Sequence, residues 1–190
     1  MNYKLVDNRI EFTDEKLTEN STNMISVIST YKFTKYMEQM PDGISILRSN
    51  ETRYTKLDVK NKYLQGVIYM PSKKDIFNHT RFGYLIFNRN ILFIDSSDTV
   101  INIIEQLRHS SIDMPTIWKF YYHFLNMLID RDLLYLQDIE NSLSTFENNL
   151  LDGGIDEYNQ RDIIYIRKKL FNQYRFYTQL FEIEHKLNEV

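Results

Sequence analysis

Two patterns of apolar positions divide the chain near residue 96. Before this point, short apolar runs alternate with turn-forming residues, which is typical of strands. Beyond it, apolar residues recur every three or four positions, the spacing that places them on one face of a helix. The sequence therefore predicts an α+β or α/β fold: a small mixed β-sheet with short flanking helices, followed by a long antiparallel two-helix hairpin. We assign residues 1–110 to the α/β domain and residues 111–190 to the hairpin.

The first half is expected to contain most of a sheet. Strands are predicted at residues 3–6, 10–12, 54–59, 63–70, 82–87 and 91–94. Asn88-Arg89-Asn90 suits a tight hairpin connection, because Asn tolerates the left-handed conformation that such turns require. A short helix is predicted over residues 100–107, with Ser97 or Asp98 as its cap.

Residues 23–40 are interpreted as another helix. Apolar residues recur there at helical spacing, and Ser21 or Thr22 could cap its start. The helix is expected to stop at the Pro-Asp-Gly of residues 41–43.

The second half is expected to form two long helices. Pro115 suits the first turn of a helix, and no Gly or Pro follows until Gly153, so one continuous helix is predicted between them. Its apolar stripe consists of Ile117, Tyr121, Phe124, Leu128, Tyr135, Ile139, Phe146 and Leu150. A second helix is predicted from about residue 156 to 187. Its apolar face consists of Ile163, Ile166, Leu170, Tyr174, Tyr177, Phe181 and Glu184.

Charged residues on the two predicted helices are complementary. Two helices joined by so short a turn must lie antiparallel. That arrangement is expected to place Asp138 opposite residues 168–169, and Asp130 and Asp132 near Arg175. Ion pairs between the helices would then explain much of the charge pattern without a ligand.

Composition excludes several classes of chemistry. The chain has no cysteine, which rules out disulfides and thiolate sites and indicates an intracellular protein. It contains neither of the glycine-rich phosphate-binding motifs, its four histidines lack metal-site spacing, and no serine lies in a nucleophile elbow. We therefore expect no enzymatic activity and no organic cofactor. The formal net charge of −3 gives no reason to expect nucleic-acid binding.

Neither a leader nor a membrane span is expected within these 190 residues. The first residues lack the apolar run of a signal peptide, and no stretch approaches the roughly 20 apolar residues that cross a bilayer. The apolar runs are strand-sized, and the chain is expected to be soluble.

Three segments carry a family resemblance. Residues 85–94 end the predicted sheet, residues 125–130 (LNMLID) lie in the first long helix, and residues 166–170 (IRKKL) lie in the second. In order, spacing and charge they resemble the cytosolic part of CorA-type divalent-cation transporters, over about residues 54–190. Two departures occur: many relatives have Pro-Leu-Arg-Glu where residues 179–182 read QLFE, and residues 44–47 lack their paired acidic residues.

The resemblance implies a regulatory and assembly domain of a magnesium transporter. In this family five subunits form a cytosolic funnel, and divalent ions bound between subunits hold the pore closed. The family's stalk helix, membrane spans and Gly-Met-Asn signature are expected to follow Val190, with this domain on the cytoplasmic side of the cell membrane. Because those parts supply much of the pentameric contact, this chain alone is expected to be a monomer or weak oligomer.

Asp130 and, second, Asp132 are the metal ligands that the resemblance suggests, because the family places acidic residues at this part of the first long helix. A salt bridge to Arg175 is the alternative role for either carboxylate. Any Mg²⁺ binding is expected to be weak, since this ion keeps much of its water and uses only one or two carboxylates. Two other functions stay open: a free-standing helical-hairpin interaction module, and the same domain in a zinc-transporting relative.

Overall fold

A computed structural model describes residues 1–18, 20–37, 53–153 and 157–188 of the chain. Within them lie the strands β1 (Asn2–Val6), β2 (Arg9–Phe12), β3 (Met24–Ile28), β4 (Lys56–Val59), β5 (Tyr63–Pro71), β6 (His79–Phe87) and β7 (Asn90–Ile94). The helices are α1 (Thr30–Met37), α2 (Thr99–Arg108), α3 (Ile117–Leu128), α4 (Asp132–Gly153) and α5 (Glu157–Asn188).

All seven of these strands belong to one mixed sheet. Their order is β2-β1-β3-β7-β6-β5-β4, and β3 and β7 pair in parallel while the other neighbours are antiparallel. The predicted mixed sheet with short helices is confirmed. The tight hairpin predicted at residues 88–90 is confirmed, since Asn88 and Arg89 have φ of 46° and 61°. A second tight hairpin joins β1 to β2, where Asp7 and Asn8 have φ of 47° and 65°. Positive φ at both central residues matches the right-handed twist of the flanking strands.

The helix predicted over residues 23–40 is partly wrong. Its first part is β3, which lies between β1 and β7 and is almost entirely buried. A strand buried on both faces gives a continuous apolar run, which periodicity does not separate from a buried helix. Neither Ser21 nor Thr22 caps a helix, since β3 follows them. The stop predicted at residues 41–43 lies outside the described residues.

The cap of α2 also differs from the prediction. Asp98 occupies the N-cap position in a left-handed conformation, but its side chain makes no capping hydrogen bond. The side chain that caps α2 is that of Asp95, which follows β7. Its carboxylate accepts hydrogen bonds from the Val100 N–H at 2.8 Å and the Ser97 N–H at 2.7 Å. A carboxylate at a helix N-terminus also interacts favourably with the helix dipole.

An aromatic cluster joins α3 to the sheet. The rings of Phe120 and Phe124 lie 6.4 Å and 4.6 Å from that of Phe93, and Phe124 lies 5.8 Å from Phe82. All four side chains are buried. The main core therefore includes residues on both sides of position 110, which is the predicted domain boundary.

The long helix predicted from Pro115 to Gly153 is two helices, α3 and α4. Between them Arg131 has φ of 61°, which interrupts the helical backbone. The antiparallel hairpin is confirmed: Asp132, at the start of α4, contacts Tyr177, and Tyr135, one turn later, contacts Lys169. None of the described helices is long and apolar enough to cross a membrane.

The predicted apolar face of α5 is only partly correct. Four of its members are exposed: Ile163 by 39%, Leu170 by 36%, Tyr174 by 71% and Phe181 by 66%. The residues that pack against the core form a parallel line: Phe176, Leu180, Ile183 and Leu187. Both lines have helical spacing, so periodicity alone could not choose between them.

Candidate metal site at the helix interruption

The turn between α3 and α4 holds both carboxylates that the sequence suggests as metal ligands. The N–H groups of Asp130 and Asp132 donate to the carbonyls of Met127 and Ile129, at 3.4 Å and 3.0 Å. These short-range bonds and the left-handed Arg131 close a three-residue turn. As a result Asp130 is exposed and Asp132 is buried.

Asp132 is the centre of a polar network that joins three elements. Its carboxylate is paired with the ammonium of Lys73, in the β5–β6 loop (residues 72–78). The Tyr177 hydroxyl of α5 donates to its Oδ2 at 2.6 Å. Asp132 is only 6% exposed, and burial of a carboxylate is costly without such partners. The network therefore connects the sheet to the start of the hairpin.

Two further hydrogen bonds hold the β5–β6 loop against the hairpin. Lys73 Nζ donates to the Asp130 carbonyl at 3.2 Å, and the Tyr165 hydroxyl donates to the Lys74 carbonyl at 3.3 Å. The Lys73 ammonium thus contacts both residues of the predicted site: the backbone carbonyl of Asp130 and the carboxylate of Asp132.

The surroundings of Asp132 also perturb the tyrosines beside it. Burial raises the pKa of Tyr177 well above its usual range, and the hydrogen bond to Asp132 raises it further, because deprotonation would leave two anions in contact. Burial raises the pKa of Tyr135 too, with a smaller contribution from the charge of Asp132. Both phenols are therefore protonated at neutral pH.

Asp130 has a different environment. Its carboxylate lies 3.7 Å from the Arg131 guanidinium, and both side chains are largely exposed. Such pairs contribute little, so the carboxylate keeps free lone pairs for water or a cation.

The ion pairs predicted between the two long helices do not form. Asp132 pairs with Lys73, while Arg175 lies over the ring of Tyr54, 5.6 Å from its centroid. Within the described residues Asp138 has no ion pair. Lys169 lies over the rings of Tyr165 and Tyr135 instead. Aromatic rings replace the expected carboxylates as partners of the basic residues.

The two carboxylates fit a divalent cation unequally. Across the described ranges, no three His, Asp or Glu side chains are grouped closely enough to hold a metal ion. Asp130 could serve as the single carboxylate ligand of a largely hydrated Mg²⁺. Asp132 could do so only by giving up Lys73. Metal binding at either residue stays a prediction.

Sequence reasoning missed Lys73 and Tyr177. The hydrogen-bonded pairs of this network are separated by 57 and 45 residues in the chain. Helical spacing assigned Tyr177 to the apolar face of the second long helix and gave it no polar role, and nothing in the sequence pointed to the β5–β6 loop.

Solved structures with the same fold include a complete magnesium transporter and separate cytoplasmic or soluble domains. The complete structure of the CorA magnesium transporter from Methanocaldococcus jannaschii matches 98% of this chain with a TM-score of 0.72 and 18% identity. The cytoplasmic domain of ZntB from Vibrio parahaemolyticus matches 99% with a TM-score of 0.68 and 14% identity. The soluble domain of M. jannaschii CorA matches 94% with a TM-score of 0.61 and 18% identity.

These matches confirm, at the level of fold, the resemblance predicted from the sequence. The chain spans 61% of the complete CorA chain, 78% of the ZntB domain and 75% of the soluble CorA domain. No protein-family model matches the sequence, and no curated protein matches it.

Proposed function

We propose that this chain is the cytosolic regulatory and assembly domain of a CorA-like divalent-cation transporter, with Mg²⁺ as the first candidate ion. The observation that carries the proposal is the match of 98% of the chain to a magnesium transporter at a TM-score of 0.72. In this role the chain lies on the cytoplasmic side of the membrane and assembles as a homo-oligomer, a pentamer by family resemblance.

The helix interruption is the proposed point at which a cation acts. A divalent ion on the Asp130 carboxylate repels the Lys73 ammonium, which lies 3.2 Å from the carbonyl of the same residue. Lys73 also holds Asp132, so the ion weakens the connection between the β5–β6 loop and the hairpin. A ligand shifts a conformational equilibrium only by its differential affinity for the two states, and this repulsion supplies such a difference.

The donor set favours Mg²⁺ over Zn²⁺. Zinc sites in proteins are usually built from Cys and His, whereas Mg²⁺ prefers oxygen ligands. The sequence has no cysteine, and the four histidines are spread over residues 79, 109, 123 and 185. A zinc-transporting relative and a free-standing interaction module are the alternatives.

Mg²⁺ titration of the isolated chain, followed by amide chemical shifts, tests the site. We expect saturation in the range of about 1–10 mM, as for sparsely liganded hard cations, with the largest shifts at residues 128–133. Asp130→Ala should abolish these shifts. Asp138→Ala, on the exposed face of α4, is the matched control and should leave them unchanged. Micromolar binding that survives Asp130→Ala would contradict the assignment.

Cation uptake tests the wider function. The complete gene product, expressed in cells that lack their own magnesium uptake, should restore growth at low Mg²⁺. Uptake of Zn²⁺ without Mg²⁺ would favour the zinc alternative, and uptake of neither ion would favour the interaction module.

A further inference from the structure

A cavity of about 340 Å³ lies between the β5–β6 loop and the middle of α5. Its wall includes the guanidinium groups of Arg53 and Arg175, the imidazole of His79 and the amide of Asn172. Among the described residues that line the cavity, none is acidic. It is separate from the Asp130 site, and no role in the proposed transport function requires it.

Within the described part of the chain, no hydrogen bond or ion pair occupies the N–H donors of Arg53 or Arg175. Arg175 lies over the Tyr54 ring, a contact that holds the guanidinium without using its N–H groups. Neither Arg53 nor Arg175 forms an ion pair with any described carboxylate. The chain as a whole has a formal net charge of −3, so the positive charge of the cavity wall is a local feature and not a result of the overall charge.

Aromatic side chains form another part of the wall. The imidazole of His79 stacks on the ring of Tyr69, with 4.4 Å between centroids and an interplanar angle of 24°. Phe176 and Phe77 also line the cavity; Phe176 is buried, while Phe77 is 79% exposed. Flat apolar surfaces thus lie close to the cationic groups.

The volume argues against a bare inorganic anion as the natural ligand. A water molecule in the liquid occupies about 30 Å³, so the cavity has room for roughly ten. Pockets for small organic ligands begin at about 300 Å³. An inorganic phosphate would leave most of this space to water and would not contact the aromatic wall.

We propose that this cavity binds a small organic phosphate with a planar ring, of the size of a nucleoside monophosphate. Arg53 and Arg175 contact the phosphate, because the planar guanidinium matches its oxygens in bidentate geometry. Phe77, Phe176 and the Tyr69–His79 pair provide the surface for the ring. The adjoining recess, lined by Arg167 and Lys168, extends the positive charge along α5.

Calorimetric titration of the chain with AMP, adenosine and inorganic phosphate tests the proposal. We expect saturable AMP binding, with adenosine and inorganic phosphate each at least about tenfold weaker, because each lacks one of the two recognition elements. Amide shifts in a parallel AMP titration should concentrate in residues 69–79 and 172–179.

Charge-neutral variants locate the binding. The Arg53→Gln/Arg175→Gln double variant should weaken AMP binding by at least about tenfold, since hydrogen bonds to charged groups are lost. Arg161→Gln, an exposed cation on the same helix outside the cavity, should change it by less than about twofold. The melting temperature of each variant checks that it is folded, and the amide shifts of the unsubstituted chain give an independent location.

Three results would overturn the inference. The first is the absence of saturable AMP binding to the unsubstituted chain. The second is inorganic phosphate binding as tightly as AMP, and the third is an equal loss of affinity in Arg161→Gln and the double variant. None of them depends on Mg²⁺ binding or transport.

Discussion

At the residue scale, Asp132 connects the sheet to the hairpin, and its removal tests that role. We expect Asp132→Asn to lower the free energy of unfolding by about 2–3 kcal/mol. This is less than for a fully buried pair, because the Lys73 side chain is 34% exposed and water partly compensates the loss. Urea denaturation measures the change.

Asp138→Asn and the double variant Asp132→Asn/Lys73→Met are the controls for that prediction. Asp138 is exposed and lacks an ion pair among the described residues, so its substitution should cost less than about 0.5 kcal/mol. The double variant should recover part of the loss, because no uncompensated ammonium remains. Equal stability of Asp132→Asn and Asp138→Asn would show that the network is not stabilising.

The buried tyrosines make stability sensitive to alkaline pH. Burial raises the pKa of Tyr177, Tyr84 and Tyr121, and raises that of Tyr3 to about 12. Above about pH 10 the unfolded chain loses these protons while the folded chain keeps them. The unfolded state then binds fewer protons, so the contribution of these tyrosines to the free energy of unfolding is constant below about pH 9 and falls as the pH rises through 10–12. Denaturation at several pH values measures this slope.

Tyr177→Phe isolates one contribution to that slope. The variant lacks the phenol but keeps the ring, so the alkaline decrease should be shallower than in the unsubstituted chain. Tyr174→Phe is the matched control, because Tyr174 is 71% exposed on the same helix and should leave the slope unchanged. Identical slopes for all three proteins would contradict the assigned environment of Tyr177.

At the scale of elements, the interruption between α3 and α4 depends on a left-handed residue that is not glycine. Arg131 has φ of 61°, which costs an L-residue about 1 kcal/mol. Arg131→Gly should therefore be neutral or stabilising by up to about 1 kcal/mol, whereas Arg131→Val should destabilise by at least about 1 kcal/mol. Thermal unfolding compares the two. Equal stability of the Gly and Val variants would indicate a continuous helix instead.

The predictable elements are those whose local signal has one interpretation. β5, β6 and β7 combine apolar runs with clear turns, and Asn88 and Arg89 adopt the expected left-handed conformation. β3 was mistaken for a helix because it is buried in the middle of the sheet. The interruption at Arg131 carries no Gly or Pro, the usual signal of a helix end.

The candidate site, too, was predictable from the sequence only in part. The family resemblance suggests Asp130 and Asp132, because CorA-type transporters place acidic residues at this part of the first long helix. Their partners were not predictable: Lys73 and Tyr177 come from a loop and a helix that only the tertiary fold brings to the turn. Arg175 was the wrong partner because helical spacing could not fix the rotation of α5 about its axis.

At the scale of the whole molecule, the exposed apolar line on α5 predicts how the chain associates. Contiguous exposed apolar surface commonly marks an interface, and Ile163, Leu170, Tyr174 and Phe181 supply it over five turns of helix. The face of α5 that packs against the main core is a different one, which contains Phe176 and Ile183. The exposed side chains are therefore available to another subunit.

We expect the isolated chain to be monomeric at low micromolar concentration and to associate reversibly at about 100 μM or more, as small interfaces do. Leu170→Glu/Phe181→Glu should abolish this association, because it places two carboxylates in the apolar line. Its melting temperature should change little, since both side chains are exposed.

Trp118→Glu, which changes an exposed apolar residue on α3, is the control and should associate like the unsubstituted chain. Sedimentation velocity over a concentration series distinguishes these outcomes. A salt-resistant pentamer at micromolar concentration, or association that persists in the double variant, would place the interface elsewhere on the molecule.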